Sequence, residues 1–171
     1  MVYLSLGSNL PPRATMLRRA LDRLAVADLA LRRLSSVYHS APVGPVRDQP
    51  PFLNMVAEVE TSMMPLELLA FCQRVEAGLG RSNKGDGGPR TIDIDLVYVD
   101  RLHGSWPGLE LPHPRAHQRA FVLRPLLELS PDYRDPRDQT PLVDRLAQLS
   151  DQSLFRAGEL AELVEREQPC D

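Results

Sequence analysis

Two aspartates in the second half of the chain have the residue type and the spacing of a metal-binding pair. Asp93 and Asp95 lie in the alternating run Ile-Asp-Ile-Asp-Leu, which is typical of a β-strand with one buried face. On such a strand both carboxylates project to the same side, with their Cα atoms about 6.5–7 Å apart. At an effective dielectric constant near 20 their charges repel by about 2–3 kcal/mol. A cation would offset this repulsion, and Mg²⁺ is typically bound by one or two carboxylates together with phosphates and water.

The residues 81–90, just before this strand, are basic and rich in glycine. They include Arg81, Lys84 and Arg90 together with three glycines. A guanidinium group can donate two parallel hydrogen bonds to the oxygens of one phosphate. Glycine lets a backbone approach a ligand closely. A polyphosphate with Mg²⁺ therefore fits this loop and the two carboxylates together. Each feature also has a plainer explanation: aspartates at an exposed strand edge that pair with arginines, and a surface loop with incidental charge.

A flat heterocycle is the second kind of ligand that the residue types suggest. In the segment 52–60 the apolar residues alternate, which leaves Phe52 and Asn54 on the opposite face of the predicted strand. A phenylalanine ring stacks on a heterocycle, and an asparagine amide offers both a donor and an acceptor. Further along, His113 and Arg119 are candidates to bind a phosphate, and Phe121 is a candidate for a second stacking ring. The alternatives are a packed phenylalanine with a turn-forming asparagine, and a solvated basic helix start with Phe121 in the core.

Apolar periodicity and turn residues predict the order β-α-β-β-α-β before residue 110. This is the split βαβ arrangement of the ferredoxin-like α+β class. We therefore expect the helices on one face of the sheet and the ligands on the other. The first helix follows the two prolines after Asn9, and the second begins at Pro65. The strands are expected at Val2–Leu6, Leu31–Ser40, Phe52–Glu60 and Ile92–Asp100.

The same pattern predicts the surroundings of the carboxylate pair. Asp93 and Asp95 are expected on a central strand, and Asn9 is expected to cap the first helix. A helical appendage is predicted at about 119–130 and 141–148, with a surface helix or disorder after about 150. We expect a single domain, 1–171, with its core at about 2–135. The core side of the last strand is expected to carry Ile92, Ile94, Leu96 and Tyr98.

Composition excludes several other classes of function. The net charge is −3, whereas a general nucleic-acid binder normally has a basic excess. No apolar run reaches the roughly 20 residues that a membrane-spanning helix needs. The two cysteines, Cys72 and Cys170, do not have the spacing of a metal site. The first residues predict a strand and not a signal peptide, so a cytoplasmic protein is expected.

Taken together, these segments resemble the 6-hydroxymethyl-7,8-dihydropterin pyrophosphokinase family of the folate pathway. The resemblance covers residues 2 to about 135, in the family order, and the Gly-Pro-Arg-Thr-x-Asp-x-Asp run is its most specific part. The matching segments are Gly7-Ser8-Asn9-Leu10, Gly44-Pro45, Asp48-Gln49-Pro50-x-Phe52-Leu53-Asn54, Gly88-Pro89-Arg90-Thr91-Ile92-Asp93-Ile94-Asp95, Leu111-Pro112-His113-Pro114-Arg115 and Arg119-x-Phe121-Val122-Leu123-x-Pro125-Leu126.

The resemblance implies a monomeric enzyme that transfers diphosphate from ATP to the hydroxymethyl group of 6-hydroxymethyl-7,8-dihydropterin and releases AMP. It implies two Mg²⁺ ions on Asp93 and Asp95, with Arg81 and Arg90 as further catalytic residues. The nucleotide and its phosphates would contact Gln73, Glu76, Arg81, Arg90, His113 and Arg119. The pterin would contact Ser40, Ala41, Pro42, Val43, Phe52, Asn54 and Phe121.

The chain departs from the family pattern in its basic loop. The loop is one residue shorter than in the best-known members, with Asn83 where arginine is common and Gly87 where tryptophan is found. Gly108 and Glu110 stand where some relatives have nucleotide-contacting residues. Two alternatives remain at this point: another Mg²⁺-dependent nucleotidyl or phosphoryl transferase on the same fold, and a non-enzymatic ferredoxin-like binding module.

Overall fold

Eight strands and five helices form the part of the chain that the computed structural model describes, which is residues 1–26, 28–44, 46–81 and 87–168. A 3-10 turn, Ala116–Gln118, precedes the third helix. The elements are β1 Val2–Ser8, α1 Arg13–Leu24, β2 Leu29–Leu34, β3 Val37–Ser40, β4 Phe52–Thr61, α2 Pro65–Gly78, β5 Asp93–Val99, β6 Gly104–Trp106, β7 Leu109–Leu111, α3 Ala120–Leu129, α4 Leu142–Ala147, β8 Leu154–Gly158 and α5 Leu160–Glu167.

The main sheet is antiparallel and has the strand order β5-β1-β4-β3-β8, with β2 also paired to β4. A separate hairpin is formed by β6 and β7. In β1, Gly7 lies between Asn54 of β4 and Asp93 of β5. Because β5 is the first strand in this order, the prediction that the aspartates lie on a central strand is wrong. They lie on an outer strand, beside β1.

One face of the sheet packs against α1, α2 and α5, and it forms the larger core. The alternation predicted for β4 is confirmed, since Leu53, Met55, Ala57 and Val59 all belong to this core. The apolar residues on one side of each of the first two helices are also buried here. They consist of Met16, Leu17, Ala20, Leu21 and Leu24 in α1 and Leu68, Cys72 and Val75 in α2, with Leu79 just after it.

The second face of the sheet is covered by a helix along part of its length. Val56 and Val97 are fully buried there, in a cluster that α3 completes with Val122 and Leu123. The prediction that all helices lie on one face is therefore wrong, because this end of the second face is apolar and needs its own cover. The other end of the same face, around Gly7, stays open.

A bulge in β5 changes which residues share a face. Leu4 of β1 pairs with Leu96, but Tyr3 pairs with Tyr98, so Val97 is an extra residue on β5. Tyr98 consequently lies in the second-face cluster with Tyr3. The prediction that Tyr98 shares the face of Ile94 and Leu96 is wrong for this reason.

The predicted strand Leu31–Ser40 is interrupted at two serines. Ser35 Oγ donates to the Ser36 carbonyl at 2.8 Å and accepts the Val56 N–H at 2.9 Å. The Ser36 N–H donates to Glu128 Oε2 of α3 at 2.8 Å. These side chains take over hydrogen bonds that a continuous strand would form with its neighbours, so β2 ends and β3 begins at this point.

The predicted helices at about 119–130 and 141–148 are confirmed as α3 and α4. The segment after residue 150 forms β8, which extends the main sheet beside β3, and then α5. Glu167, the last residue of α5, accepts the backbone N–H groups of Ala14 and Thr15 at 2.8 Å each, in the first turn of α1. Across the described ranges, every helix is too short or too polar to cross a bilayer. Cys170 lies outside them.

Candidate functional site

The open end of the second sheet face is the floor of a cavity of about 240 Å³. Its floor comes from β1, β4 and β5, and its walls come from the loop after β3, the loop before β5 and the segment that leads into α3. All but three of the predicted site residues line it. The lining consists of Ser5, Gly7, Ser40, Ala41, Val43, Gly44, Phe52, Asn54, Arg81, Gly87, Arg90, Asp93, Asp95, His113, Arg115, Arg119 and Phe121.

The two aspartates face this cavity together, and arginines surround them. Asp93 contacts the guanidinium groups of Arg81 and Arg90, with Arg90 NH1 3.1 Å from Asp93 Oδ2. Asp95 Oδ2 is 3.3 Å from Arg119 NH1. Both carboxylates keep part of their surface open, with 22% of the Asp93 side chain and 31% of the Asp95 side chain exposed. The basic loop and the carboxylates, whose proximity the sequence predicted, are in direct contact.

Burial and the neighbouring carboxylate both disfavour a charge on Asp95. Burial, followed by the charge of Asp93, raises the pKa of Asp95 to about 6, although Arg119, Arg81 and Arg90 act in the opposite direction. The attraction of three guanidinium groups therefore does not outweigh the cost of burying this carboxylate in its charged form. The described residues contain no cluster of three or more His, Cys, Asp or Glu side chains that would hold a metal by themselves. A metal at this position would depend on ligand oxygens as well as on the protein.

Glu76 acts behind the cavity and not in its wall. Its side chain is 1% exposed, and its Oε1 accepts the Ile94 N–H at 2.8 Å and also contacts the Arg81 guanidinium. It therefore holds Arg81 against the start of β5. Gln73, predicted to contact the nucleotide beside Glu76, is exposed on α2 and does not line the cavity. The two side chains therefore differ in exposure, although they are only three positions apart on α2.

Asn9 connects the loop after β1 to two distant loops, a role that was not predicted from the sequence. The predicted helix cap is wrong, since α1 begins after Pro12 and has no side-chain cap. Instead Asn9, fully buried, accepts the Arg90 N–H on Oδ1 at 2.8 Å. Its Nδ2 donates to Gln49 Oε1 at 3.0 Å and to the Pro50 carbonyl at 3.1 Å. The turn residues Gly7-Ser8-Asn9 pointed to a loop here, but no local pattern indicated partners about 40 and 80 residues away.

Two aromatic rings lie against arginines of the cavity. The Arg90 guanidinium carbon is 5.3 Å from the centre of the Phe52 ring, and that of Arg119 is 5.5 Å from the centre of the Phe121 ring. Asn54, on the floor between the walls, donates from Nδ2 to Ser40 Oγ at 2.8 Å. Its Oδ1 forms no hydrogen bond within the described part of the chain. Rings, amide and cations therefore share one cavity.

Of the rim predicted at Ser40–Val43, Pro42 is the one residue that does not line this cavity. It lines a neighbouring cavity of about 280 Å³ instead. Phe121 and residues 151–154 also line that second cavity.

His113 is held as a neutral imidazole. Burial, followed by the charges of Arg119 and Arg115, lowers its pKa to about 4. Its Nδ1 accepts the Arg115 N–H at 3.1 Å, so in the neutral ring the proton lies on Nε2. His113 can therefore donate one hydrogen bond to an anionic oxygen without adding a charge.

Part of the predicted phosphate loop, residues 82–86, lies outside the described residues, and so does Pro45. This includes Lys84 and the position of Asn83. Gly87, the next described residue, is tied to the loop after β3, because Gln49 Nε2 donates to its carbonyl at 2.8 Å.

Comparison with known proteins gives consistent matches. A model of the 7,8-dihydro-6-hydroxymethylpterin-pyrophosphokinase (HPPK) family matches residues 3–131. The 2-amino-4-hydroxy-6-hydroxymethyldihydropteridine pyrophosphokinase of Bacillus subtilis is 43% identical over 128 residues, which are 74% of this chain and 76% of that one. The protein of the same name from Pseudomonas aeruginosa is 40% identical over 136 residues, or 79% and 83% of the two chains.

Solved structures add a similarity of fold. A crystal structure of HPPK-DHPS in complex with substrates has a TM-score of 0.66 and 12% identity, and the match covers 88% of this chain and 43% of that one. The mixed α/β architecture with an antiparallel sheet is thus shared with that protein.

The sequence matches define an enzyme class, the transferases of a diphosphate group. The chain belongs to the 7,8-dihydro-6-hydroxymethylpterin-pyrophosphokinase family, which carries out the pyrophosphokinase step of folate biosynthesis with ATP as co-substrate.

Proposed function

We propose that the cavity between Asn54 and Arg119 is where this chain transfers diphosphate from ATP to the hydroxymethyl group of 6-hydroxymethyl-7,8-dihydropterin, with release of AMP. The single observation that carries this assignment is the contact of three arginines with Asp93 and Asp95 beside two aromatic rings. The arginines would bind the oxygens of a triphosphate, and the rings and the Asn54 amide would bind a pterin.

Asp93 and Asp95 are proposed to hold two Mg²⁺ ions. The donor set fits, because both groups are carboxylates and both face the cavity. Two carboxylates leave several coordination positions for phosphate oxygens and water, which is the usual arrangement for Mg²⁺. When bound, Mg²⁺ would supply positive charge that offsets the negative charge of the phosphates.

Arg81, Arg90 and Arg119 are proposed to exchange their carboxylate contacts for phosphate oxygens when ATP binds. Each of them already lies within the cavity lining, so only short side-chain movements are needed. The neutral His113 would donate from Nε2 to a phosphate oxygen. Together these groups would orient the β-phosphorus and stabilise the charge that develops during transfer.

The pterin ring is proposed to lie between Phe52 and Phe121. Asn54 would accept from the heterocycle through Oδ1, while its Nδ2 keeps the bond to Ser40. Ala41 and Val43 would complete the rim. In this position the hydroxymethyl oxygen would be directed toward the arginine cluster, and it would attack the β-phosphorus directly, with its proton passing to water. The bond from that phosphorus to the α–β bridging oxygen would break, and no enzyme-bound covalent intermediate is required.

A ferredoxin-like classification is proposed for the core formed by β1, α1, β2–β3, β4, α2 and β5. The strand order β5-β1-β4-β3 supports it. We propose further that the chain is a single domain and acts as a cytoplasmic monomer on small-molecule substrates.

The nucleotide product tests the proposed reaction. The protein is incubated with ATP, Mg²⁺ and 6-hydroxymethyl-7,8-dihydropterin, and the nucleotides are separated by chromatography. The proposal requires AMP in equal amount to the pterin consumed. ADP as the product would indicate a phosphoryl transferase, and free pyrophosphate would indicate a nucleotidyl transferase; either result would overturn it.

A further inference from the structure

Gln152 forms two hydrogen bonds to the segment that carries Arg119. Its Oε1 accepts the Ala120 N–H at 2.9 Å, and its Nε2 donates to the Gln118 carbonyl at 2.8 Å. One side-chain amide thus holds the backbone on both sides of Arg119. The orientation of the amide is unambiguous, because one partner is a donor and the other is an acceptor.

The hydrogen bond from Gln152 to Ala120 caps the start of α3, where the local sequence supplies no side-chain cap. The Ala120 N–H is the first of the helix donors that lack a partner within the helix. Arg119, at the N-cap position, makes no capping bond with its side chain. Gln152, which is 32 positions away in the sequence, takes this role. The start of α3 therefore depends on a residue from the C-terminal segment.

The backbone that Gln152 holds, from Gln118 to Ala120, positions two side chains of the cavity. Arg119 NH1 lies 3.3 Å from Asp95 Oδ2, and its guanidinium lies over the ring of Phe121. The Arg119 side chain is 15% exposed, so its position is set by its backbone and by these two neighbours. A shift of this backbone would move the cation and the ring together.

The C-terminal segment also reaches the opposite wall of the cavity. Two residues after Gln152, Leu154 pairs with Ser40 at the end of β3. The segment therefore connects the β3 rim to the start of α3 and fixes the separation of the two walls. It lies beyond residue 131, where the match to the family model ends.

We propose that Gln152 is a positioning residue for the transfer reaction, acting through the backbone of Gln118 and Ala120 on Arg119 and Phe121. It touches neither substrate. This inference rests on the proposed function, because it assumes that Arg119 and Phe121 contact the phosphates and the pterin. The consequence is that the C-terminal segment contributes to kcat and to the KM for the pterin, and not only to stability.

The test compares Gln152→Met with Gln148→Ala by steady-state kinetics, well below the melting temperature of each variant. Methionine keeps the length of the side chain and removes both hydrogen bonds. Gln148 is an exposed residue of the same segment, and it forms no side-chain hydrogen bond with the described residues. We expect Gln152→Met to lower kcat by roughly tenfold or more, since small misplacements of reacting groups are costly, and to raise the KM for the pterin. Gln148→Ala should match the unaltered protein.

Arg119→Ala, alone and combined with Gln152→Met, separates this inference from the proposed function. If Gln152 acts through Arg119, the double variant should be little slower than Arg119→Ala, so that the two effects are not additive. Normal kcat and pterin KM in Gln152→Met would overturn the inference, even if its melting temperature falls. Normal kinetics in Arg119→Ala would overturn the role of Arg119 in the proposed function.

Discussion

Asn9 and Arg90 hold each other through two hydrogen bonds. The Asn9 N–H donates to the Arg90 carbonyl at 3.2 Å, and the Arg90 N–H donates to Asn9 Oδ1 at 2.8 Å. The pair joins the loop after β1 to the end of the basic loop. The guanidinium of Arg90 reaches Asp93 from a backbone that is fixed in this way.

Replacing Asn9 should therefore affect both stability and catalysis. In Asn9→Ala the partly buried Arg90 N–H loses its acceptor, and we expect the free energy of unfolding to fall by about 2 kcal/mol. Because Arg90 is then less well placed, kcat should also fall at temperatures where the variant is folded. Urea unfolding and steady-state kinetics measure the two effects. A destabilised variant with unchanged kcat would show that the pair supports the fold alone.

Gly7 leaves room for the ligand-binding amide on the floor of the cavity. A Cβ atom built on Gly7 would lie 2.9 Å from Asn54 Oδ1, which is closer than a normal contact. Gly7→Ala should displace the Asn54 amide and raise the KM for the pterin by roughly tenfold, the loss of one good hydrogen bond, with a smaller change in the KM for ATP. Kinetics with each substrate varied in turn check this. Equal changes in both KM values would contradict it.

Asp135 forms a buried ion pair that links stability to pH. The residue is fully buried, and Arg137 donates to it from its backbone N–H, Nε and NH2 at 3.0, 2.9 and 2.6 Å. These bonds hold the pKa of Asp135 below its ordinary value, although burial acts in the opposite direction. A carboxylate with a lowered pKa in the folded state stabilises the protein above its ordinary pKa. That contribution is lost as the pH falls through the folded-state pKa.

Asp135→Asn should accordingly lower the free energy of unfolding by about 3 kcal/mol at pH 7. The difference from the unaltered protein should shrink below about pH 4, the ordinary range of an aspartate. Urea unfolding at pH 7, 5 and 3.5 measures it. Asp132→Asn is the control, since Asp132 is exposed and has no hydrogen bond within the described residues. A difference that does not change with pH would indicate that the charge of Asp135 is not the cause.

Much of the core and of the cavity lining follows from local sequence patterns. The alternation in β4 placed Phe52 and Asn54 on one face and Leu53 and Met55 on the other, because the side-chain period of a strand is two. The same rule placed Asp93 and Asp95 together. These results depend on residues close in sequence and on a single strong preference, the burial of apolar side chains.

The predictions that were wrong share one physical cause: each depends on a contact between segments that are distant in the sequence. The face of Tyr98 depends on a bulge at Val97, which the pairing with β1 determines. The role of Asn9 depends on Arg90, and the role of Glu76 depends on Arg81 and the start of β5. Gln152 lies in a segment that matched no pattern at all. Hydrogen bonds of this kind leave no periodic signal, so only the folded structure reveals them.

The most direct test of the account is the Mg²⁺ dependence of AMP formation in Asp95→Asn. Asparagine keeps the shape of the side chain and removes its charge, which also removes the repulsion from Asp93, so the melting temperature should not fall. We expect AMP formation at saturating ATP and pterin to drop by roughly a hundredfold or more, with a higher Mg²⁺ requirement, while Asp132→Asn remains normal. A stable Asp95→Asn variant with the rate and the Mg²⁺ dependence of the unaltered protein would contradict the proposed site.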